Sequence, residues 1–506
     1  MNSFNLIDEA WIPVRFPDGR RDELGIRDTL LRAQEITAIE DPSPLVVASL
    51  HRFLLALLYR ALDGPTDKEQ AKALFREGFP REKITAYLDT WRERFWLFHE
   101  RWPFGQNPLV PVDKTEPWNK LTAEFNPTKN KLLFDHTSTA IPEERLASEC
   151  ARWILATMSF SISGGRGYFP SPSANGVLCI PLGRDLQKTL SYGLVPQNRE
   201  VLLHDLPIWE RDPAPLPLTT TKRIASGFAD LYTWQPRMVF LEKAQSGNVS
   251  GTRFVSGEGF DNPSQSSDPM QPYKLDKETG RSVIQFRADR GTWRDFASLL
   301  PDAEKLAPLT VQNAIDLAGR KIENLPESIL VLGLRYDPPN ANLDFWRMER
   351  FELPKSVAGN EGLREEIRGF LQRAEDAQKS LWKACTSFAR DLVSRGSRDP
   401  DTKDTKAFVD QMIPIPFYWS ILEARFHDLL HAYSLDKSES EITLQWLNAL
   451  RDALIESWEQ HRAAVSMGDA WTIRALVKAE GPLRKELYAL NQEIANFNIA
   501  IQKEDA

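Results

Sequence analysis

Apolar and polar positions fall into three regimes along the chain. Near the N-terminus, "FNLIDEAWIPVRFPDGR" alternates around a Pro-Asp-Gly turn, which predicts a short strand, a turn and a return strand. "DPSPLVVASLHRFLLALLYRALDGP" is apolar at most positions and is bracketed by Asp41-Pro42 and Gly64-Pro65, which predicts one helix. His51, Arg52 and Arg60 interrupt that run, so it reads as a buried helix and not as a membrane span. A second helix is expected over "REKITAYLDTWRERFWLFHE", with Ile84, Tyr87, Leu88 and Trp91 on one face. From Pro103 to about Leu300 prolines, glycines and short β-rich runs dominate, among them "GVLCIPLG", "RMVFLE" and "SVIQFRA". This predicts a mixed sheet with long loops. Within it, "SGNVSGTRFVSGEGFDNPSQSSDPMQP" is polar and rich in Gly and Ser, and reads as a mobile excursion.

The third regime begins after "FELPKSVAGNEG". Leu363, Ile367, Phe370, Ala374, Leu381, Cys385, Phe388 and Leu392 recur with a period close to that of an α-helix. A second helix runs through "PFYWSILEARFHDLLHAYS". A third opens on Ser438 with Glu441 three residues on, a capping-box spacing, and carries Leu447, Leu450, Leu454 and Trp458. The fourth, "WTIRALVKAEGPLRKELYALNQEIANF", contains Gly481-Pro482, which should kink or split it. The expected fold is therefore α+β: a mixed α/β N-terminal domain with long loops over 1–358, followed by a C-terminal four-helix bundle over 359–506. No internal repeat or coiled-coil heptad is present.

Composition narrows the function. The 506 residues are 42% hydrophobic and 26% charged, which suits a soluble chain of two or three packed units. Asp8 and Glu9 stand where a signal peptide needs basic and apolar residues, and Cys150, Cys179 and Cys385 are far apart. Both point to a reducing, cytoplasmic setting. The net charge of −8 argues against a free-standing nucleic-acid binder, yet allows a local basic patch or a subunit whose partners supply the positive field. Fifteen tryptophans imply large cores or subunit contacts.

Motifs for common chemistries are missing. There is no P-loop and no nucleophile elbow. "SISGGRGYFPSPSANG" crowds Gly164, Gly165 and Gly167 around Arg166, but Pro170 stands where a dinucleotide fingerprint needs its last glycine. A flexible turn is the plain reading; a backbone finger laid against a duplex, with Arg166 entering the minor groove, is the functional one. Glu423, His427 and His431 share one helical face at a spacing that could chelate a metal, although the metalloprotease glutamate is absent. Flanking a bundle core is the plain reading of these residues. Lys222 and Arg223 in "TTTKRIASG", and Arg474, Lys478, Arg484 and Lys485, could hold phosphates or simply be solvated.

Taken in order, several stretches resemble one family, the large subunit (CasA) of the type I-E CRISPR surveillance complex, Cascade. They are "LIDEAWIPV", "RFWLFHERWPFGQNP", "ARWILATMSFSISGGRG", "LYTWQPRMVFL" with Trp234-Gln235-Pro236, "RGTWRDF", and the closing helices. The resemblance implies a non-enzymatic subunit that recognises a protospacer-adjacent motif in double-stranded DNA, starts strand separation for R-loop formation, and helps to dock a helicase-nuclease. Its implied partners are the DNA target, the guide RNA, other Cascade subunits and that nuclease, with no cofactor and no membrane. Guide pairing reads the sequence while the protein reads only a short flanking motif. Gly164, Gly165, Arg166 and Gly167 would then approach the minor groove. The family's wedge hairpin corresponds to "LRYDPPNANLDFWRMERFELP", with Asn340, Ala341 and Asn342 at the tip in place of a glutamine. The family's minor-groove lysine has no counterpart in "GTRFVSGEGFDNP", where Arg253 is the basic residue. Phe134, Asp135 and His136 would sit near the 5′ end of the guide. The cysteines with which some members bind zinc are absent. The competing readings are a metal-dependent hydrolase built on Glu423, His427 and His431, and a structural scaffold.

Overall fold

The computed structural model describes residues 2–121, 123–124, 144–163, 167–216, 222–261, 268–278, 280–301, 306–337, 342–395, 402–435, 437–465 and 469–504. Two compact units emerge: Met1–Arg287 with Ser298–Phe351, and Ala288–Ala297 with Glu352–Ala506. The second unit thus takes in a segment upstream of the 358/359 division drawn from the sequence.

The first unit is organised around the Pro44–Leu62 helix. Ser43 caps its start by accepting from the Val46 N–H, and Asp63 ends it in the left-handed conformation. It is the one helix among the described residues long and apolar enough to cross a membrane, and it is buried inside the unit. It packs on the Ala147–Phe160, Phe228–Tyr232 and Arg81–Thr90 helices. Its interior charges are matched. The Arg52 guanidinium meets Asp268 at 2.6 Å and lies over the Tyr232 ring. His51 uses Nδ1 against the Val47 carbonyl at 2.8 Å.

The N-terminal hairpin is present as Ile12–Arg15 paired antiparallel with Arg21–Leu24. Gly19, at φ +85°, makes the turn. The expected helix over 81–100 is shorter than the pattern suggested. It stops at Thr90, passes through a 3₁₀ turn at Arg92–Phe95, and continues as the strand Trp96–Phe98. That strand pairs with Ser3–Asn5, which buries Leu97 and Phe98. A partner far away in the chain overrides local helix propensity here.

The middle region holds several small sheets where one mixed sheet was expected. Leu178–Leu182 pairs with the central strand Ser328–Asp337, whose other neighbour is Asn342–Glu352. Arg237–Lys243 pairs with Val249–Ser256, which also receives Thr115–Glu116. The presumed mobile excursion is therefore partly regular: its 249–256 portion is a ladder strand, because Val249, Gly251, Thr252 and Arg253 are buried against the neighbouring strand and loop.

In the second unit, the helices Glu361–Ser394, Pro414–Tyr433, Glu439–Ala464 and Ala470–Glu504 pack on one another. The capping box at Ser438 and Glu441 is formed in both directions. The last helix is not split: it runs through Pro482. A proline removes one backbone N–H, and packing along Glu361–Ser394 offsets that loss. Arg373 ties these two helices together through Glu486 at 2.6 Å and Glu493 at 2.9 Å. Ala288–Ala297 inserts Trp293 against Trp419 and Phe426, while Arg290 and Arg294 share Glu375.

Candidate nucleic-acid interface

The buried Ala147–Phe160 helix ends at Ser161, where the glycine loop begins. Its two stems are closed by a reciprocal pair. The Ser161 N–H donates to Ser171 Oγ and the Ser171 N–H donates to the Ser161 carbonyl, each at 2.8 Å. Arg237 reaches both stems, donating through Nη2 to the Ile162 carbonyl at 2.5 Å and through Nη1 to the Phe169 carbonyl at 2.6 Å. The Ser256 hydroxyl donates to the Gly167 carbonyl. Tyr168 lies beneath the Arg237 guanidinium and beside Phe254. Gly167 sits at φ +94° with open space where a Cβ would project. Gly164, Gly165 and Arg166 lie outside the described residues.

Trp234, Gln235 and Pro236 position Arg237. Trp234 is almost fully buried and donates Nε1–H to the Glu258 carbonyl at 3.1 Å. Gln235 donates to the Gly105 carbonyl at 3.1 Å, which links this segment to Pro103–Gln106. Gln106 in turn donates to the Leu97 carbonyl and accepts from the Leu241 N–H at 2.8 Å. Gly105 stands at φ +65°, and a Cβ there would meet Ile154 at 2.7 Å. The residues most recognisable in the sequence are thus the scaffold under the loop. Arg237 and Ser256, which touch the stems, were missed. Nothing in the local pattern separates them from other surface-type residues; their one signal is that Arg237 directly follows Trp-Gln-Pro.

The basic candidates part ways. Arg253 is not a groove-entering cation: it is 7% exposed, pairs with Glu242 at 2.5 Å, donates to the Val110 carbonyl at 2.7 Å and covers Phe240. It is enclosed because its strand is paired on both sides, with Phe240 and Thr115 as its register partners. Arg223 is neutralised by Asp230 at 2.6 Å and Glu258 at 2.5 Å and stacks over Trp234. Those two carboxylates hold its guanidinium well above its ordinary range against the opposing effect of burial. Lys222, which precedes Arg223 on the same two-residue strand, is exposed.

The segment that resembles the family's wedge forms a hairpin of the strands Ser328–Asp337 and Asn342–Glu352. The inner strand is buried over most of its length, and the outer one exposes Trp346 and Met348. Arg335 donates to Gln285 at 2.6 Å and faces Asp344 at 3.7 Å. Asn342 opens the outer strand, whereas Asn340 and Ala341 lie outside the described residues, as do Phe134, Asp135 and His136.

Glu423, His427 and His431 are exposed on the Pro414–Tyr433 helix, while Leu422, Phe426, Leu429 and Leu430 face the core. His431 Nδ1 lies 3.5 Å from Glu352. Among the described residues no group of three or more His, Cys, Asp or Glu side chains is arranged to hold a metal ion. Near the C-terminus, Arg474 and Lys478 share Asp391, and Arg484 pairs with Glu480. Burial pushes the Cys385 thiol up to about 12, which keeps it protonated and unreactive.

This order of elements, with a sheet-bearing unit and a helical C-terminus, defines an α+β fold shared with CRISPR-associated proteins. A family model described as CRISPR-associated protein Cse1 matches residues 5–457. A CRISPR-associated protein CasA/Cse1 of Thermus thermophilus is 33% identical over 512 residues, 98% of this chain and 99% of the relative. The crystal structure of CasA from Thermus thermophilus superposes with a TM-score of 0.83 at 31% identity, covering 96% of this chain and 100% of that one. A chain in a structure described as a CRISPR RNA-guided surveillance complex shares the fold, with a TM-score of 0.72 at 19% identity over 97% of this chain and 100% of its own length. The chain belongs to the CasA/Cse1 family.

Proposed function

We propose that this chain is a non-catalytic subunit of an RNA-guided CRISPR surveillance complex. In the cytoplasm it recognises the protospacer-adjacent motif in double-stranded DNA, initiates strand separation, and helps to recruit the helicase-nuclease. Its partners are the guide RNA, the other subunits and the target duplex. The observation that supports this most is the closed stem of the glycine loop, with Gly167 at φ +94° and no atom of the described residues where its Cβ would project. A backbone presented without side-chain bulk suits close approach to a groove. Wedging falls to the 328–352 hairpin. Docking of the nuclease rests on family membership.

The test is Gly165→Leu in the assembled complex. Binding of a fully paired, motif-bearing duplex weakens, while a target already opened over its first pairs still binds. Equal losses on both targets would remove the glycine loop from motif recognition.

A further inference from the structure

We infer that Arg237 is the positioning residue of the glycine loop: by bridging the Ile162 and Phe169 carbonyls it sets the separation of the two stems, and through them the fit of the loop to duplex DNA. This rests on the proposed contact between that loop and the target.

Three observations carry it. The first is the way charge is compensated. Other enclosed arginines in this unit have carboxylates: Arg52 has Asp268, Arg253 has Glu242, and Arg223 has Asp230 and Glu258. Arg237 has none among the described residues, and it donates instead to the carbonyls of Ile162, Phe169 and Pro236. Burial without a carboxylate lowers its pKa to about 10. A half-buried cation held by three neutral carbonyls and the face of the Tyr168 ring, with no carboxylate among the described residues, is poorly compensated for its desolvation, so its contacts to both stems fit positioning better than a gain in stability.

The second is geometry. The guanidinium is a planar fork with donors at fixed separation. Nη2 takes the incoming stem at Ile162 and Nη1 the outgoing one at Phe169. A lysine ammonium is a point donor on a flexible stem and cannot reproduce that span.

The third is that one cross-strand pair supplies both fastenings. Arg237 and Ser256 are register partners at the end of the ladder formed by Arg237–Lys243 and Val249–Ser256. Ser256 fastens the Gly167 carbonyl, while Arg237 fastens Ile162 and Phe169. The loop stems are thus mounted on a rigid sheet end, the arrangement that holds a recognition element in one geometry.

The experiment uses the assembled complex carrying Arg237→Lys or Arg237→Gln, with Gly165→Leu as reference. Dissociation constants are measured on a paired motif-bearing duplex, on the same duplex with the motif scrambled, and on a target pre-opened over its first pairs. Both Arg237 variants should weaken binding to the paired motif duplex about tenfold to a hundredfold, the scale set by losing a hydrogen bond from a charged donor that orders the loop. Discrimination against the scrambled motif should shrink, and binding to the pre-opened target should hold within about twofold of wild type, because that target bypasses the loop. If Arg237→Lys binds and discriminates like wild type, charge alone suffices and the positioning role is overturned. Equal weakening on paired and pre-opened targets would assign Arg237 to folding or assembly, which also overturns it. If Gly165→Leu weakens paired binding and Arg237→Gln does not, this inference fails while the proposed function stands; if neither variant weakens it, both fail.

Discussion

Replacing Glu124 with glutamine should stabilise the protein at alkaline pH and do nothing at acid pH. Glu124 is 6% exposed, and both of its carboxylate oxygens lie 2.7 Å from Ser43 Oγ, at the cap of the central helix. Burial pushes its pKa up from the ordinary 4.5 to about 7; the Ser43 hydroxyl opposes the shift and the Asp41 carboxylate adds to it. Because the folded value lies above the unfolded one, the folded form holds the proton more tightly. The resulting stabilisation is fully present below pH 4.5 and is lost as pH rises through about 7. At about 1.4 kcal/mol per tenfold in proton affinity, the separation between 4.5 and about 7 corresponds to about 3 kcal/mol. Glu124→Gln removes that dependence, so the variant should exceed wild type by up to about 3 kcal/mol at about pH 8 and match it near about pH 4. His51 makes the variant more informative. Its imidazole is held neutral by burial, with a pKa near 4 against an ordinary 6.5, so protonation of the unfolded chain erodes stability as pH falls from 6.5 to about 4. In wild type these two contributions oppose each other across much of that window, so Glu124→Gln should lose stability towards acid more steeply than wild type, by up to about 1.4 kcal/mol per pH unit. The assay is guanidinium unfolding at half-unit pH steps between about 4 and 8, followed by tryptophan fluorescence. A variant less stable than wild type at the alkaline end, by a margin that does not change with pH, would show that the carboxylate is charged and well solvated in the fold.

Asn340→Ala with Asn342→Ala should slow R-loop formation on a linear paired target more than on a bubbled or negatively supercoiled one. Opening a base-pair step costs on the order of 1–2 kcal/mol only where the duplex is closed and relaxed; the same slowing on all three targets would make the hairpin a simple backbone contact. Arg52→Met should destabilise the first unit by about 3–5 kcal/mol, because Asp268 is left charged and buried. Adding Asp268→Asn should recover much of that in denaturant unfolding, and a double variant as unstable as the single one would contradict it. His427→Ala should leave duplex binding and metal content of the purified protein unchanged; stoichiometric zinc lost in the variant would restore the hydrolase reading.

Much of the architecture could be read from the chain alone. Ser43 before an apolar run and Ser438 with Glu441 marked helix starts that form as expected, because caps act over three or four residues and need no distant partner. The helical stripe from Ile367 to Phe388 became the buried face of one long helix for the same reason. Signals that depend on a distant partner failed. Trp96–Phe98 looks helical until Ser3–Asn5 is placed beside it, and Gly481-Pro482 looks like a break until packing carries the helix across. The site divided in the same way. Arg223, Arg237 and Arg253 are equivalent in a sequence, each one positive charge in a β-rich stretch. Only the fold brings Asp230 and Glu258 to the first, Glu242 to the third, and backbone carbonyls with the Tyr168 ring to the second. Backbone carbonyls recur at every residue and carry no pattern, and electrostatic compensation is a sum over neighbours in space. The sequence alone therefore determined where the helices begin and which family the chain resembles; tertiary structure decided which cation beneath the glycine loop has no counter-charge among the described residues.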